Sequence, residues 1–150
     1  MIMDAMEDYI NVLFAEDDYD DRFLFEEALA SGAVKANITF FENGLELVNH
    51  LRSITAIPDI IFVDAMMPIK GGHECISEIR ANEKFKNVPV VLLTISKRQW
   101  DIESAFAEGA NLFLSKTVGF DNNGSFLKNL FSGNWKDKLL HSNRGNFVAG

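Results

Sequence analysis

Apolar residues fall along this chain in short, almost unbroken runs separated by longer amphipathic stretches. The runs near 9–15, 36–41, 59–64, 88–94 and 111–115 are almost uniformly apolar. Continuous apolar character over so few residues is the pattern of parallel strands covered on both faces. Between the runs the spacing becomes helical. Leu24 with Ala28 and Phe25 with Leu29 stand at i,i+4, and Gly32 supplies a stop. A second helix follows Asn43-Gly44 and carries Leu45, Leu47, Val48 and Leu51. A third follows Gly71-Gly72 with Cys75, Ile76 and Ile79 on one face. A fourth, near 98–108, turns Ile102, Ala105 and Phe106 inward and ends at Gly109. The fifth, near 122–131, pairs Phe126 with Leu130 and Leu127 with Phe131. The turn-prone stretch Asp121-Asn122-Asn123-Gly124 predicts an irregular approach to it. Five βα units in this order imply right-handed crossovers and an α/β fold, an open doubly wound parallel sheet.

Ligands of such sheets bind beyond the carboxyl ends of the strands, where the strand order switches direction. Glu16, Asp17, Asp64, Thr94 and Lys116 all stand at or just past predicted strand ends, so the architecture would gather them. Glu16-Asp17-Asp18 closes the first run, and Asp64, followed by Ala65-Met66-Met67-Pro68, closes the third. Carboxylates collected in this way repel one another unless a cation or protons neutralise them. Hard cations such as Mg²⁺ take oxygen ligands, often one or two carboxylates together with phosphate oxygens. Glu16, Asp17 and Asp64 supply such oxygens, and the backbone carbonyl near Met66 adds another. The bound metal would polarise an incoming phosphoryl group. A carboxylate would then act as nucleophile, with Lys116 and Thr94 supplying a positive charge and a hydroxyl donor to the phosphoryl oxygens.

Composition narrows this picture without redirecting it. With 150 residues, 47% hydrophobic and 24% charged, the chain has the makings of one globular domain with a sizeable core. The expected division is an extension over 1–8, the domain over 9–131 and a tail over 132–150, too short for a separate output domain of at least ~50 residues. A net charge of −8 argues against nonspecific nucleic-acid binding, because phosphates are repelled. No apolar run approaches the ~20 residues that cross a bilayer. The start Met1-Ile2-Met3-Asp4-Ala5-Met6-Glu7-Asp8 is acidic, unlike a signal peptide, and the lone Cys75 forms no internal disulfide. A cytoplasmic location is the expectation.

The motifs, taken together and in order, resemble the receiver domain of two-component response regulators over roughly residues 9–131. They are Phe14-Ala15-Glu16-Asp17-Asp18, Val63-Asp64-Ala65-Met66-Met67-Pro68 with Gly72, Leu92-Leu93-Thr94, and Gly109-Ala110-Asn111-Leu112-Phe113-Leu114-Ser115-Lys116. The resemblance implies a flavodoxin-like (βα)5 fold with strand order 2-1-3-4-5. It implies that Asp64 accepts phosphate from a phosphohistidine on a histidine kinase or phosphotransfer protein. Glu16 and Asp17 would hold Mg²⁺ with Asp64 and the Met66 carbonyl, and Lys116 would pair with the phosphoryl group. Thr94 would rotate toward that group, with Phe113 as the aromatic switch residue. The output would be a population shift of the face made by helix 4, strand 5 and helix 5, toward a downstream protein target. Receivers also pair through that face, so a homodimer fits. The implied role is signalling and not turnover of a substrate.

Several neighbours have plainer readings. Asp18 suits a helix cap, and Asp20 and Asp21 suit the solvated first turn that follows. His50, His73 and His141 lack metal-like spacing and read as surface residues, while Cys75 reads as core. Trp100 fits either a fold back onto the core or an exposed partner-binding position. Trp135, Leu139 and Leu140 are expected to dock the tail onto the domain or onto a second subunit.

The chain also departs from the family pattern. Thr117 replaces the proline that usually follows the lysine, so a trans peptide and a differently placed Lys116 are expected. Ile95 replaces a small residue at the pocket mouth, where it would shield the phosphoryl group or narrow access to it. Met66 and Ser96 occupy positions that tune phosphoryl loss, and Met66 cannot position a water. Three other readings compete. A flavin binder would need a Ser/Thr/Gly-rich loop where Glu16-Asp17-Asp18 stands. An aspartyl-phosphate hydrolase would need a second aspartate at position 66. A receiver-like interaction module that has lost phosphorylation would tolerate Ile95 and Thr117.

Overall fold

The computed structural model describes residues 9–150; the amino-terminal extension 1–8 and its acidic start lie outside them. Six strands form one sheet in the order β2-β1-β3-β4-β5-β6. They are β1 (Ile10–Ala15), β2 (Ala36–Phe41), β3 (Ile60–Asp64), β4 (Val90–Thr94), β5 (Leu112–Ser115) and the two-residue β6 (Val148–Ala149). Every neighbouring pair is parallel. The first five strands follow the expected order, and the sixth is an addition from the segment read as a tail.

Strand geometry sends successive side chains to opposite faces, and the core divides accordingly. Leu13, Ala15, Ile61, Val63, Val90, Leu92 and Phe113 face one layer of helices. That layer is α2 (Gly44–Ser53), α3 (Gly72–Ala81) and α4 (Gln99–Glu108), which contribute Leu47, Val48, Leu51, Cys75, Ile76, Ile79, Ile102 and Ala105. Val12, Phe14, Ile60, Phe62, Val91, Leu93, Leu112 and Leu114 face the other. There α1 (Tyr19–Ser31), α5 (Ser125–Leu130) and α6 (Trp135–Leu140) bring Phe25, Ala28, Leu29, Leu127 and Leu139. The inner strands β1, β3, β4 and β5 are therefore buried on both sides, which is why their sequences do not alternate, whereas burial along the edge strand β2 does. This is the doubly wound, flavodoxin-like arrangement. Among the described residues, no helix is long and apolar enough to cross a membrane.

Chain order places the functional edge. From β1 the chain moves outward to β2 and then returns to lay β3 on the other side of β1. The connections leaving β1 and β3 thus diverge and open a crevice at their carboxyl ends. Register aligns those ends: Ala15 pairs with Val63, Asp64 with Leu93, and Thr94 with Ser115. Glu16, Asp64, Thr94 and Lys116 therefore occupy the tips of four adjacent strands.

One glycine is required for this edge to close. A Cβ on Gly72, at the start of α3, would stand 2.5 Å from the Asp64 carbonyl oxygen and 2.8 Å from Leu92 Cδ1. Backbone and core side chain both block it. Gly72→Ala is expected to lower stability by about 1–3 kcal/mol, the usual result of overpacking. A chemical denaturation midpoint equal to that of the native protein would mean that the turn after β3 shifts freely.

Beyond β5 the chain forms a one-turn helix (Lys116–Gly119) and then an irregular stretch before α5. The Lys116–Thr117 peptide is trans, as the missing proline implies.

Candidate functional site

Lys116 organises the crevice. Its Nζ donates to Glu16 Oε1 at 2.9 Å, Asp64 Oδ2 at 3.0 Å and Asp21 Oδ2 at 2.7 Å. An ammonium has three N–H donors, and each has a carboxylate acceptor here. The replacement of proline by Thr117 therefore does not keep the lysine away from Asp64.

The loop after β1 is fixed from both sides. Asp18 caps α1, its Oδ1 accepting from the backbone amides of Asp20 at 2.8 Å and Asp21 at 3.2 Å. Glu16 Oε2 accepts from the Asp18 amide at 3.3 Å. Arg22 Nε donates to the Glu16 carbonyl at 2.7 Å, and its guanidinium lies over the rings of Tyr19 and Phe40 at 4.6 and 5.1 Å. Asp64 Oδ1 accepts from the Met66 amide at 3.2 Å, which holds the start of the next loop over the carboxylate.

Glu16 is fully buried and Asp64 nearly so, while Asp17 is exposed. Burial, followed by the neighbouring Asp64 carboxyl, pushes the Glu16 carboxyl from 4.5 up to about 8, against the pull of Lys116. Burial alone would lower the Lys116 ammonium. The hydrogen bonds to Asp21 and Glu16 and the charge of Asp64 outweigh it and hold the ammonium above its ordinary range. One lysine thus does not balance the carboxylates gathered around it.

Glu16, Asp17 and Asp64 each offer a carboxylate oxygen within 4.8 Å of the others. An all-oxygen, strongly negative donor set suits a hard divalent cation. Burial, then the neighbouring Asp64 carboxyl, disfavours charge on Glu16, and a bound divalent cation would offset both. The residues fit Mg²⁺.

Thr94 is buried at the end of β4, and its Oγ1 accepts from the Ser96 amide at 3.0 Å. Ser96 Oγ in turn donates to Asp101 Oδ2 at 2.6 Å, tying the β4–α4 loop to the first turn of α4. Phe113 is buried and points inward, packed against Phe147. Met66, Ile69, Ile95 and Trp100 are all at least two-thirds exposed. Ile95, 82% exposed, stands away from the pocket interior. For Trp100 the structure selects the exposed alternative.

Two expectations need correction. Asp21 is not part of a solvated turn; it is half-buried and anchors Lys116. The signal was present, because Asp21 lies one turn before the inward stripe of Phe25, Ala28 and Leu29 on α1. His73 is not a free surface residue either. Its Nδ1 lies 2.6 Å from Glu108 Oε1, and its Nε2 lies 3.7 Å from Asp101 Oδ1. It cross-links α3 to α4, a contact between distant turns that spacing does not reveal.

Comparison with known proteins agrees with this geometry. The family model for the response regulator receiver domain matches residues 12–123. A two-component response regulator of Arabidopsis thaliana, ARR17, is 30% identical, the match covering 77% of this chain and 81% of ARR17. The crystal structure of the phosphorylated cyanobacterial phytochrome response regulator RcpA superposes with a TM-score of 0.72 at 27% identity, covering 81% of this chain and 91% of that one. The receiver domain of Ssk1 from Saccharomyces cerevisiae, solved with the histidine phosphotransfer protein Ypd1, gives a TM-score of 0.58 at 29% identity, covering 72% and 79%. Fold, acidic crevice and sequence converge, and the chain belongs to the receiver-domain family of two-component response regulators.

Proposed function

We propose that this receiver is a phospho-acceptor switch in which Asp64 takes a phosphoryl group from a phosphohistidine on a histidine kinase or phosphotransfer protein. The observation that carries the reading is the single ammonium of Lys116 shared between Asp64 and Glu16, with Asp17 alongside. In the transfer an Asp64 carboxylate oxygen attacks phosphorus and the P–N bond breaks, so the imidazole leaves and takes up a proton. Glu16, Asp17, Asp64 and the Met66 carbonyl would hold Mg²⁺, which when bound neutralises charge on the phosphoryl oxygens. Lys116 already stands at 3.0 Å from Asp64 and moves with little reorganisation onto a phosphoryl oxygen. Thr94, one register step beyond the Asp64–Leu93 pair, turns its hydroxyl to the same group. Phe113 lies on the strand beside Thr94 and reports that turn to the face formed by α4, β5 and α5.

Receivers are signalling domains, and the expected chemistry here is self-phosphorylation from small donors and slow loss of the group. Incubation with acetyl phosphate and Mg²⁺ tests the reading. The native chain should take up one phosphoryl group and Asp64→Asn none. Equal uptake by both, or none by either at any donor concentration, rejects it.

Met66 decides the lifetime. Its side chain is 76% exposed beside the crevice and offers no group that orients a water for attack on phosphorus. Met66→Asn is therefore expected to shorten the phosphoryl half-life several-fold, followed by loss of label after donor removal. A longer half-life in the variant would contradict this.

A further inference from the structure

We propose that residues 143–150 form a releasable strap over the α4–β5 face, and that its release is linked to phosphoryl occupancy of the Asp64 crevice. The coupling rests on the phospho-acceptor reading; the strap itself rests on its contacts. Without the strap, β5 would be an edge strand with unpaired backbone groups. Val148 and Ala149 pair with Phe113 and Leu114, and the Phe113 amide donates to the Phe147 carbonyl at 2.9 Å. Phe147 is fully buried, edge-on to Phe106 at 5.2 Å and tilted against Phe113 at 6.4 Å. Arg144 reaches Glu103 on α4 at 2.6 Å, both partly exposed.

These contacts are few for an element that covers so much. The strap has one aromatic anchor, a two-residue strand and an ion pair in solvent, where such pairs contribute little. Beyond these, Ala149 packs at the margin of the other core layer, and Asn143 and Asn146 cap each other locally. Segments held this lightly open well below the free energy of global unfolding.

The strap also touches the carboxyl end of β5. A Cβ on Gly150 would stand 2.6 Å from Ser115 Cβ, so the backbone there lies directly against Ser115. Ser115 pairs with Thr94 and precedes Lys116. Movement of Thr94 and Lys116 toward a phosphoryl group therefore acts on the strand the strap covers. Release uncovers Phe113 and the β5 edge and removes Phe147 from Phe106, which is already 37% exposed. Linkage is reciprocal: if occupancy favours release, loosening the strap must favour occupancy by the same factor.

Amide hydrogen exchange on the native chain tests this, with and without Mg²⁺ and trifluoroberyllate, a mimic of the aspartyl phosphate whose binding is followed by fluorine NMR. The expected result is exchange about five-fold faster or more at the Phe113 amide and across 143–150, with the β1 amides unchanged. Strap rates should not vary with protein concentration. Rates that do vary would place the segment on a second copy and overturn the strap. Bound mimic with unchanged exchange overturns the coupling and leaves the phospho-acceptor reading intact; absence of any bound mimic overturns both. Phe147→Ala gives the reciprocal measurement, with tighter trifluoroberyllate binding expected. Equal or weaker binding in a folded variant contradicts the proposal, and the native exchange experiment stands if the variant fails to fold.

Discussion

Lys116→Ala is expected to destabilise the metal-free protein by about 3 kcal/mol at neutral pH or above, the lower part of the range for breaking a buried ion pair. The lysine side chain is 13% exposed, and two of its acceptors, Glu16 and Asp64, are 0% and 7% exposed. Removing the ammonium leaves those carboxylates with neither water nor a counter-charge. Part of the loss is relieved because Glu16, whose carboxyl already binds a proton up to about pH 8, becomes neutral more readily still. The deficit should therefore shrink toward pH 5 and shrink again when Mg²⁺ is added. Denaturant titrations of both proteins, at acid and alkaline pH and with and without Mg²⁺, read all of this. A variant as stable as the native chain without metal at high pH would show that the crevice does not need the lysine's charge.

The second large effect is on pH dependence. Glu16 titrates near 4.5 in the unfolded chain and near 8 in the fold, so between those values the folded protein holds a proton that the unfolded chain lacks. Stability from this group is fully present below pH 4.5 and is lost as pH rises through about 8, with a slope of up to about 1.4 kcal/mol per pH unit. Metal-free protein should thus melt at lower temperature as pH rises, the reverse of the usual carboxylate behaviour. Glu16→Gln, which cannot ionise, should flatten the slope and raise stability at the alkaline end. Mg²⁺ competes with the same proton, so its stabilising effect should grow with pH. Melting curves across roughly pH 5–9 check these signs, and a metal-free melting temperature that rises over that interval would refute the assignment.

Both effects come from features that were unequally legible in the sequence. The strands could be read because β1, β3 and β4 are covered on both faces, and uniform burial leaves uniform apolar runs. Glu16, Asp64, Thr94 and Lys116 could be placed because each follows such a run, and a parallel sheet brings all carboxyl ends to one edge. Asp21 was harder, since a helix-start acid has a sufficient reason to exist in the dipole and cap alone. Its partnership with Lys116 depends on how α1 rotates over the sheet, which packing of Phe25 determines. His73 was misplaced for a similar reason, because its partners Glu108 and Asp101 lie on another helix. Phe147 carried the weakest signal. The apolar run Phe147-Val148-Ala149 is too short to suggest a strand, and β6 forms because β5 offers an open edge. The local pattern therefore reports layers and strand ends well, and reports cross-element polar contacts poorly.

The strap and the crevice meet at β5, where Ser115 pairs with Thr94 and precedes Lys116. The proposed signalling role depends on one chemical event, transfer of a phosphoryl group to Asp64. The direct measurement is to incubate the native chain with acetyl phosphate and Mg²⁺, trap the acyl phosphate by borohydride reduction, and locate the reduced residue by mass spectrometry of peptides. A single reduced side chain at position 64, absent when Mg²⁺ is withheld, is the expected result. Reduction at another carboxylate, or none in the presence of donor and metal, would contradict it.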